Sequence, residues 1–432
     1  MHIPIPRSLF AALAAALAVL LAPMRAAAAA DLLPEGARLA IIGDSITEQK
    51  LYTKFMEAYL LACAGRSDVK VFQFGWSGEK ADGFAARLAN DLAPFQPTVA
   101  TTCYGMNDGL YVPYTNGIGR AYESNMRQVA AGLQKAGVQK IVLGSPGAVD
   151  TKLFVRTNFA PLSGADGYNK NLGALRDIDK RVAAELGLGF TDVHQAMLDA
   201  MAKAKAALGE DYDVCGKDGF HPGPNGQLIM AYAFLTALGC DGQIASITVD
   251  MNGTASASDG HKVVAANEGS VELVSERYPF CFDGEPKSSS GTRSIAPHFP
   301  FNEKLNRFTL QVRNLTAPRA TVTWAGESKT FTREQLSAGV NLAAQFNKTP
   351  FDIQFKKVVD AIAAKQNFET LMIKSLVTNF RAFSAELKKD VKLANAFTTF
   401  SKQLMARQTD LDAAARKTIV PVKHTITVVA TQ

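Results

Sequence analysis

Short apolar runs alternate with longer helical patterns between residues 38 and 239. The runs are apolar or β-branched, are bounded by turn residues, and lie at 39–42, 69–74, 98–104, 141–143 and 189–193. Runs of this length and composition predict buried strands. Stretches such as 51–63, 125–136 and 168–186 have helical spacing and are long enough to cross over a sheet. This alternation predicts an α/β fold in which helices cover both faces of a parallel sheet.

The pattern changes after Cys240, where runs rich in Thr, Val, Ser and Asn replace the helical spacing. The runs 308–312 and 320–324 predict a hairpin with a medium loop. The alternating segment 425–429, near the end of the chain, predicts a strand that pairs back into the same sheet. Together these runs predict a small antiparallel sheet.

Helical spacing returns in the last hundred residues. Residues 332–335 fit a capping box, and residues 351–415 predict two or three long helices. Two apolar stripes occur there, one at Phe380, Phe383 and Leu387, the other at Phe397, Phe400 and Leu404. We interpret both as packing surfaces rather than as a membrane or lipid groove. A local excess of six basic residues between 348 and 417 indicates a solvated helical face rather than a site for an acidic polymer.

Length and composition agree with a folded protein of two domains. The chain has 432 residues, of which 47% are hydrophobic and 20% are charged. The patterns divide it into an N-terminal segment at 1–30, an α/β domain at 31–245 and a C-terminal α+β accessory module at 246–432.

The first thirty residues have the layout of a cleaved signal peptide. Arg7 precedes an apolar run at 9–21, and an alanine stretch ends before Asp31. The run is too short to span a bilayer, and no later run reaches the ~20 apolar residues of a membrane helix. We therefore expect an exported protein, periplasmic or extracellular. Removal of Arg7 and Arg25 would lower the net charge from +6 to +4, which is too mild to indicate a nucleic-acid partner.

The five cysteines allow at most two disulfides. Cys103 lies in a strand-like run and is expected to be a buried thiol. A bridge between Cys215 and Cys240 would fix the loop that carries Asp218 and His221, but the sequence leaves this pairing open. No cysteine or histidine cluster has zinc-ligand spacing, so no metal is expected.

Residues suited to nucleophilic catalysis lie at the ends of the first three predicted strands. Ser45 follows the first strand and precedes a helix, which places its hydroxyl at the carboxyl edge of the sheet, where open α/β folds bind ligands. Taken alone, a serine there is more typical of a helix N-cap. The segments 75–79 and 105–108 end the next two strands at the same edge, and glycine N–H groups and asparagine amides are donors that stabilise an oxyanion. Downstream, Asp218 and His221 supply a carboxylate and an imidazole.

These four segments, in this order, resemble the motif blocks of the SGNH hydrolase superfamily, also called GDSL-type esterases. The matching residues are Gly43-Asp44-Ser45, Ser77-Gly78-Glu79, Gly105-Met106-Asn107-Asp108 and Asp218-Gly219-Phe220-His221-Pro222. The resemblance covers about residues 38–239 and implies a flavodoxin-like three-layer sandwich with a parallel sheet.

The same resemblance implies a role for each motif residue. Ser45 would be the nucleophile, His221 the general base and then acid, and Asp218 the residue that orients the imidazole. The oxyanion hole would be formed by the N–H groups of Ser45 and Gly78 and by the side chain of Asn107.

Other residues near the motifs are expected to have lesser roles. Ile46 and Glu79 replace the leucine and aspartate common in the family, and neither is expected to contact the chemistry. His194 follows the fifth strand, but no acid and nucleophile converge on it in the pattern. Asp44 and Asp108 are expected to cap and brace their turns.

The sequence therefore predicts a secreted serine esterase without a cofactor. Its substrate would be a small-molecule or polysaccharide ester, and we favour the O-acetyl esters of carbohydrate. Trp76, Tyr104 and Tyr111 are candidates to stack on a sugar, although such aromatic residues more often pack in the core. The same catalytic residues also fit a lipase, thioesterase or arylesterase, or an O-acyltransferase; a binding protein without turnover fits least.

Overall fold

Five parallel strands form the central sheet of the first half of the chain. The computed structural model describes residues 32–154 and 164–431, and places the strands in the order β2-β1-β3-β4-β5. Their bounds are Arg38–Gly43 (β1), Lys70–Gln73 (β2), Val99–Cys103 (β3), Lys140–Gly144 (β4) and Gly189–Thr191 (β5). Each adjacent pair is parallel. The predicted flavodoxin-like sheet is confirmed.

Helices cover both faces of this sheet, because successive residues of each strand point to opposite sides. Leu39 and Ile41 of β1 belong to one apolar core, whereas Ala40 and Ile42 belong to the other. The helices of this half of the chain are Ser45–Glu48, Tyr52–Ala58 with a π-helical continuation at Tyr59–Cys63, Ala81–Leu92, Asn116–Lys135, Gly164–Leu186, Val193–Leu208 and Pro224–Ala237. The result is the three-layer sandwich that the sequence predicted.

The second half of the chain contains two further sheets. One has the order β13-β10-β6-β7, with β6 and β10 parallel; the other is antiparallel, with the order β12-β11-β14-β9-β8. The bounds are Gln243–Asp250 (β6), Thr254–Ala257 (β7), His261–Asn267 (β8), Ser270–Ser275 (β9), Arg307–Arg313 (β10), Arg319–Trp324 (β11), Glu327–Thr332 (β12), Val340–Asn341 (β13) and Val422–Thr431 (β14). The predicted antiparallel sheet and its terminal strand are confirmed, since β14 lies between β11 and β9.

The predicted hairpin between residues 308–312 and 320–324 is wrong. The first run belongs to β10, which pairs with β6 and β13, whereas the second belongs to β11, which pairs with β12 and β14. Alternation of apolar and polar residues specifies which face of a strand is buried, but it does not specify the neighbouring strand.

The C-terminal helices pack partly through the predicted stripes. The bounds are Arg333–Ala338, Leu342–Gln345, Asp352–Met372 with a π-helical continuation at Ile373–Thr378, the 3₁₀ helix Asn379–Phe383, Ser384–Lys389 and Val391–Lys417; two shorter helices lie upstream, a 3₁₀ turn Ala296–His298 and Phe301–Lys304. Thr332 and Gln335 form the predicted capping box. The rings of Phe380 and Phe397 stack with centroids 4.3 Å apart, whereas Phe383 and Phe400 remain about half exposed.

The helix Asp352–Met372 covers the edge strand β2 through a buried ion cluster. The ammonium of Lys365 donates to the Val71 carbonyl at 2.6 Å and contacts Glu57 and Glu369 at 2.8 and 2.9 Å. The carboxylate of Glu369 in turn accepts the backbone N–H of Gln73 at 3.3 Å. Side chains of the C-terminal half therefore form hydrogen bonds with the backbone groups of β2 that have no neighbouring strand.

Residues from Leu32 onward form one compact unit. Strand β6 crosses the position between residues 245 and 246, and the division into two domains there stays a prediction. The segment 1–30, interpreted above as a signal peptide, lies outside the described residues. Across residues 32–154 and 164–431, every helix is too short or too polar to cross a membrane.

Cysteine chemistry differs from one option left open above. Cys215 is a buried free thiol, so the bridge to Cys240 is not formed. Burial raises the pKa of the Cys215 thiol far above its ordinary value. Cys103 is buried in β3, as predicted.

Candidate active site

Ser45 lies directly beyond the carboxyl end of β1, at the first position of the helix Ser45–Glu48. Asp44 caps this helix, since its Oδ1 accepts the N–H of Ile46 at 2.9 Å. The helix is only one turn long, but the carbonyl oxygens of Asp44 and Ser45 accept the N–H groups of Glu48 and Gln49. The turn therefore presents the Ser45 hydroxyl at the rim of the sheet, beside the first N–H groups of a helix.

His221 meets this serine from a loop 176 residues downstream. The distance from Ser45 Oγ to His221 Nε2 is 2.9 Å, and the distance from His221 Nδ1 to Asp218 Oδ2 is 2.7 Å. Because the carboxylate only accepts hydrogen bonds, Nδ1 carries the proton, which leaves Nε2 as the acceptor for the serine hydroxyl. The three groups thus form a directed hydrogen-bond chain.

Asp218 also organises the loop that carries the imidazole. Its Oδ1 accepts the backbone N–H groups of Phe220 and His221 at 3.1 and 3.0 Å. Partial burial alone would raise the pKa of Asp218, but the hydrogen bonds from the His221 side chain and from these backbone groups hold the pKa below its ordinary value. The carboxylate is therefore ionised over the whole neutral range.

The segment Trp76–Glu79, after β2, forms a tight turn at the same rim. The N–H of Glu79 donates to the Trp76 carbonyl at 3.1 Å, and Gly78 has a φ of 73°. A positive φ at this position of a turn favours glycine. Gly75 is required for a second reason, because a Cβ there would lie 2.3 Å from the backbone nitrogen of Glu48. The two glycines allow the turn to lie against the serine-bearing helix.

Asn107 comes from the loop after β3, and its amide is held on both sides. Its Oδ1 accepts the hydroxyl proton of Tyr111 at 3.0 Å, and its Nδ2 donates to the Glu79 carbonyl at 3.1 Å. A longer contact of 3.5 Å joins Nδ2 to Asp44 Oδ2. The candidate oxyanion donor thus bridges the turn after β2 and the turn after β1.

Two buried carboxylates brace these turns, as the sequence predicted. Asp108 accepts the N–H groups of Gly105 and Ala81, both at 3.0 Å, and thereby joins two loops. Burial raises the pKa of Asp44 to about 7 and that of Asp108 to about 6, against the opposing effect of their backbone hydrogen bonds. Both groups make structural contacts rather than presenting a free carboxylate.

The three aromatic candidates for sugar stacking occupy different environments. Trp76 is partly exposed at the rim, with the Arg87 guanidinium 4.9 Å and the Lys374 ammonium 4.6 Å from its ring centroid. Tyr104 is completely buried and donates to Glu79 Oε2 at 2.8 Å, so it offers no surface to a sugar. Tyr111 is nearly buried beneath Asn107. The expectation that Tyr104 contacts substrate is therefore corrected.

Glu79 contacts the candidate oxyanion donor through its backbone. Its carbonyl accepts the Asn107 amide, and its carboxylate forms two hydrogen bonds with Arg87 at 2.7 and 2.8 Å. Ile46 is buried, and His194 lies in the core with its Nδ1 3.0 Å from the Gly147 carbonyl. The sequence analysis did not identify Glu48 and Lys374, which contact the same turn. Glu48 could have been identified, because it lies three residues after Ser45 on a predicted helix.

Within residues 32–154 and 164–431, no three histidine, cysteine, aspartate or glutamate side chains converge as metal ligands would. Together, the side chains at the rim of the sheet provide a serine hydroxyl, an imidazole nitrogen that can accept its proton, and amide donors beside them. That is the arrangement used for acyl transfer through a serine nucleophile.

The fold and this rim define a protein of the ester-hydrolase class. Residues 41–229 match the model of the GDSL-like Lipase/Acylhydrolase family. This part of the chain belongs to that family, and the protein is accordingly a carboxylic ester hydrolase.

Solved structures with a similar fold include a gut microbial diltiazem-metabolizing enzyme. It is 21% identical, with a TM-score of 0.71, and the alignment covers 93% of this chain and 100% of that one. The likeness therefore extends through the C-terminal half of the fold. An acetylxylan esterase from Geobacillus stearothermophilus is 21% identical over 48% of this chain and 96% of its own, with a TM-score of 0.39. No curated protein matched the sequence.

Proposed function

We propose that the protein is an exported serine esterase in which Ser45, His221 and Asp218 form the catalytic triad. The observation that carries this proposal is the hydrogen-bond chain from Ser45 Oγ to His221 Nε2, at 2.9 Å, and from His221 Nδ1 to Asp218, at 2.7 Å. Both distances lie within the range needed for proton transfer.

In the first half of the reaction, His221 Nε2 removes the Ser45 proton while Oγ attacks the ester carbonyl carbon. The N–H groups of Ser45 and Gly78 and the amide of Asn107 stabilise the oxyanion that develops. His221 then gives its proton to the departing alcohol, which leaves an acyl group on Ser45. In the second half, His221 activates water, which releases the acid and restores the serine.

The proposed substrate is an O-acetyl ester of carbohydrate. Support comes from the signal-like N-terminal sequence, from the many carbohydrate esterases in the superfamily that the motifs resemble, and from Trp76 at the rim. Of the three aromatic candidates, Trp76 is the one that retains exposed surface for a sugar beside the Ser77–Gly78 turn.

The nucleophile is tested with p-nitrophenyl acetate on the wild type, Ser45→Ala and a matched control, Ser124→Ala, which replaces an exposed serine of the helix Asn116–Lys135. We expect Ser45→Ala to lower kcat by more than ~10³-fold and Ser124→Ala to leave it unchanged. A fluorophosphonate probe should label Ser45, as located by mass spectrometry of peptides. Full activity of Ser45→Ala would overturn the assignment.

The substrate class is tested with a separate panel of acetylated mono- and oligosaccharides and p-nitrophenyl esters of increasing acyl length. Diltiazem is a useful addition, since a protein of similar fold metabolizes it. A preference for acetylated sugars supports the proposal, whereas a preference for long acyl chains indicates a lipase. An alcohol acceptor added to the same assay distinguishes hydrolysis from acyl transfer, because a transferase would form the new ester.

A further inference from the structure

A lysine of the C-terminal half reaches the serine-bearing helix. Lys374 lies in the π-helical segment Ile373–Thr378, and its Nζ is 2.7 Å from Glu48 Oε1. The neighbours Ile373 and Leu376 are buried in the core that also covers one face of the parallel sheet. The lysine is therefore presented from a fixed backbone, and both partners of the ion pair are mostly shielded from solvent.

The second oxygen of the same carboxylate holds the turn after β2. Glu48 Oε2 accepts the backbone N–H of Ser77 at 2.5 Å. Ser77 directly precedes Gly78, whose N–H is a proposed oxyanion donor. A carboxylate with one oxygen on Lys374 and the other on Ser77 therefore connects the C-terminal helix to the donor turn.

The other end of that turn is held independently. The Glu79 carboxylate is bound by Arg87 and by the Tyr104 hydroxyl, all within the first half of the chain. Trp76, at the first position of the turn, contacts the ammonium of Lys374 through its ring. The Trp76 N–H is also held by the Gly43 carbonyl at 3.0 Å, and its ring also contacts Arg87. Glu48, paired with Lys374, is the side chain that accepts the Ser77 N–H in the middle of the turn, whereas the Glu79 side chain is held by Arg87 and Tyr104.

We propose that Lys374 is a positioning residue, which acts through Glu48 to hold the Ser77–Gly78 peptide in the orientation that binds the oxyanion. This inference rests on the proposed function, because it presumes that the Gly78 N–H is a donor in the reaction. It assigns a role in catalysis to the C-terminal half of the chain. Lys50 is the other cation nearby, but its ammonium donates to the Glu48 backbone carbonyl and not to the carboxylate.

The test compares Lys374→Met and Lys374→Arg with a matched control, Lys389→Met, in p-nitrophenyl acetate hydrolysis. Lys389 is an ion-paired lysine of the same half of the chain, 2.8 Å from Glu386 on the surface. We expect Lys374→Met to lower kcat about tenfold with KM within about twofold, since a displaced donor costs less than a deleted one. Lys374→Arg should recover most of the loss, and Lys389→Met should match the wild type.

Inhibition by a trifluoromethyl ketone measures binding of an oxyanion directly, and a general loss of stability would not change the inhibition constant. Such a ketone forms a tetrahedral adduct with the serine and places an oxyanion among the donors. Its inhibition constant should rise about tenfold in Lys374→Met, while the thermal unfolding midpoint serves as a check on folding. An unchanged inhibition constant in a folded variant would overturn the inference.

Glu48→Gln tests the route of the coupling from the other side. Glutamine keeps an oxygen for the Ser77 N–H but removes the charge that pairs with Lys374, so Lys374→Met should have less than a twofold further effect in that background. Equal losses in both backgrounds would show that Lys374 does not act through Glu48. If Ser45→Ala retains activity, the proposed function itself fails; if Ser45→Ala is inactive and Lys374→Met is normal, this inference alone fails.

Discussion

Tyr111 donates its hydroxyl proton to Asn107 Oδ1 over 3.0 Å. An asparagine amide has two chemically different ends, and a donor on the oxygen end forces the NH₂ end to the opposite side. Here that side faces the Glu79 carbonyl and the rim that carries Ser45. The tyrosine therefore determines which end of the Asn107 amide faces the rim.

Removal of this hydroxyl should weaken catalysis without unfolding the protein. We expect Tyr111→Phe to lower kcat about fivefold, which corresponds to the loss of about 1 kcal/mol of hydrogen bonding. The ring would keep its stacking on Tyr168. Steady-state kinetics with p-nitrophenyl acetate measures the effect, and Tyr114→Phe, at an exposed tyrosine of the same loop, is the control. A change in KM alone would contradict the assigned role.

The buried ion cluster at β2 should be a large determinant of stability. Lys365→Met would leave the carboxylates of Glu57 and Glu369 buried without their cation, and we expect the free energy of unfolding to fall by about 3–5 kcal/mol. The exposed ion pair between Lys356 and Asp360 lies on the same helix, so Lys356→Met should change stability by less than about 1 kcal/mol. Urea unfolding of both variants measures the difference; equal effects would contradict the prediction.

A chain of hydrogen bonds joins the two C-terminal sheets through two buried histidines. Trp324 Nε1 donates to His424 Nδ1 at 3.3 Å, His424 Nε2 and His261 Nδ1 contact Ser275 Oγ at 2.9 and 2.8 Å, and His261 Nε2 reaches the Ile244 carbonyl at 2.9 Å. Since Trp324 can only donate, His424 Nδ1 must accept, and the chain is satisfied when both imidazoles are neutral. Burial, and then the nearby His261, lower the pKa of His424 from 6.5 to about 4.

His424 should make the stability of the folded protein sensitive to acid. The unfolded chain takes up a proton near pH 6.5 and the folded chain only near pH 4, so the contribution to stability is complete above 6.5 and is lost as the pH falls towards 4. We expect the loss to reach at most about 3 kcal/mol. His424→Gln, which can still accept from Trp324 and donate to Ser275, should flatten the dependence in urea unfolding between pH 7 and 4. An identical slope in wild type and variant would refute this.

Asp44 should make the folded protein less stable as the pH rises, which is the opposite of the effect of His424. Folding raises the pKa of Asp44 from 3.8 to about 7, chiefly because the carboxyl group is buried. Between pH 3.8 and 7, therefore, the carboxyl group is protonated in the folded state and ionised in the unfolded state. Stability from this group is complete below pH 4 and declines as the pH rises to about 7, by up to about 1.4 kcal/mol per unit. Asp44→Asn should gain stability relative to the wild type across that window.

The relevant measurement is the difference in unfolding free energy between Asp44→Asn and the wild type at pH 4, 5.5 and 7. Asparagine keeps an oxygen for the Ile46 N–H, so the helix cap remains. Asp82→Asn, at an exposed aspartate, supplies the matched control. A difference that does not grow with pH would mean that Asp44 is ionised in the folded protein.

Much of the α/β half was predictable, because its information is local. Each buried strand is a short apolar run, and the motif residues follow strands whose carboxyl ends share one edge in a parallel sheet. Asp218 and His221 are three residues apart, so a single loop turn brings them together. Ser45, Asp218 and His221 could be selected because their motifs resemble those of the SGNH hydrolases, and the structure brings them within hydrogen-bond distance.

What the sequence could not decide were pairings between segments distant along the chain. The strands 308–312 and 320–324 look like a hairpin, yet each finds its partners in a different sheet, because strand patterns encode faces and not neighbours. Tyr104 looks like a rim residue but is buried beneath Glu79. Lys374 carries no motif at all.

The sequence by itself thus determined the fold class, the strand edge that carries the chemistry, and the candidate nucleophile, base and acid. Only the tertiary structure decided which side chains hold them in place, such as Tyr111 on Asn107 and Lys374 on Glu48. The physical reason is that periodicity and turn residues act over a few positions, whereas a hydrogen bond between residues 326 positions apart exists only once the whole chain has packed.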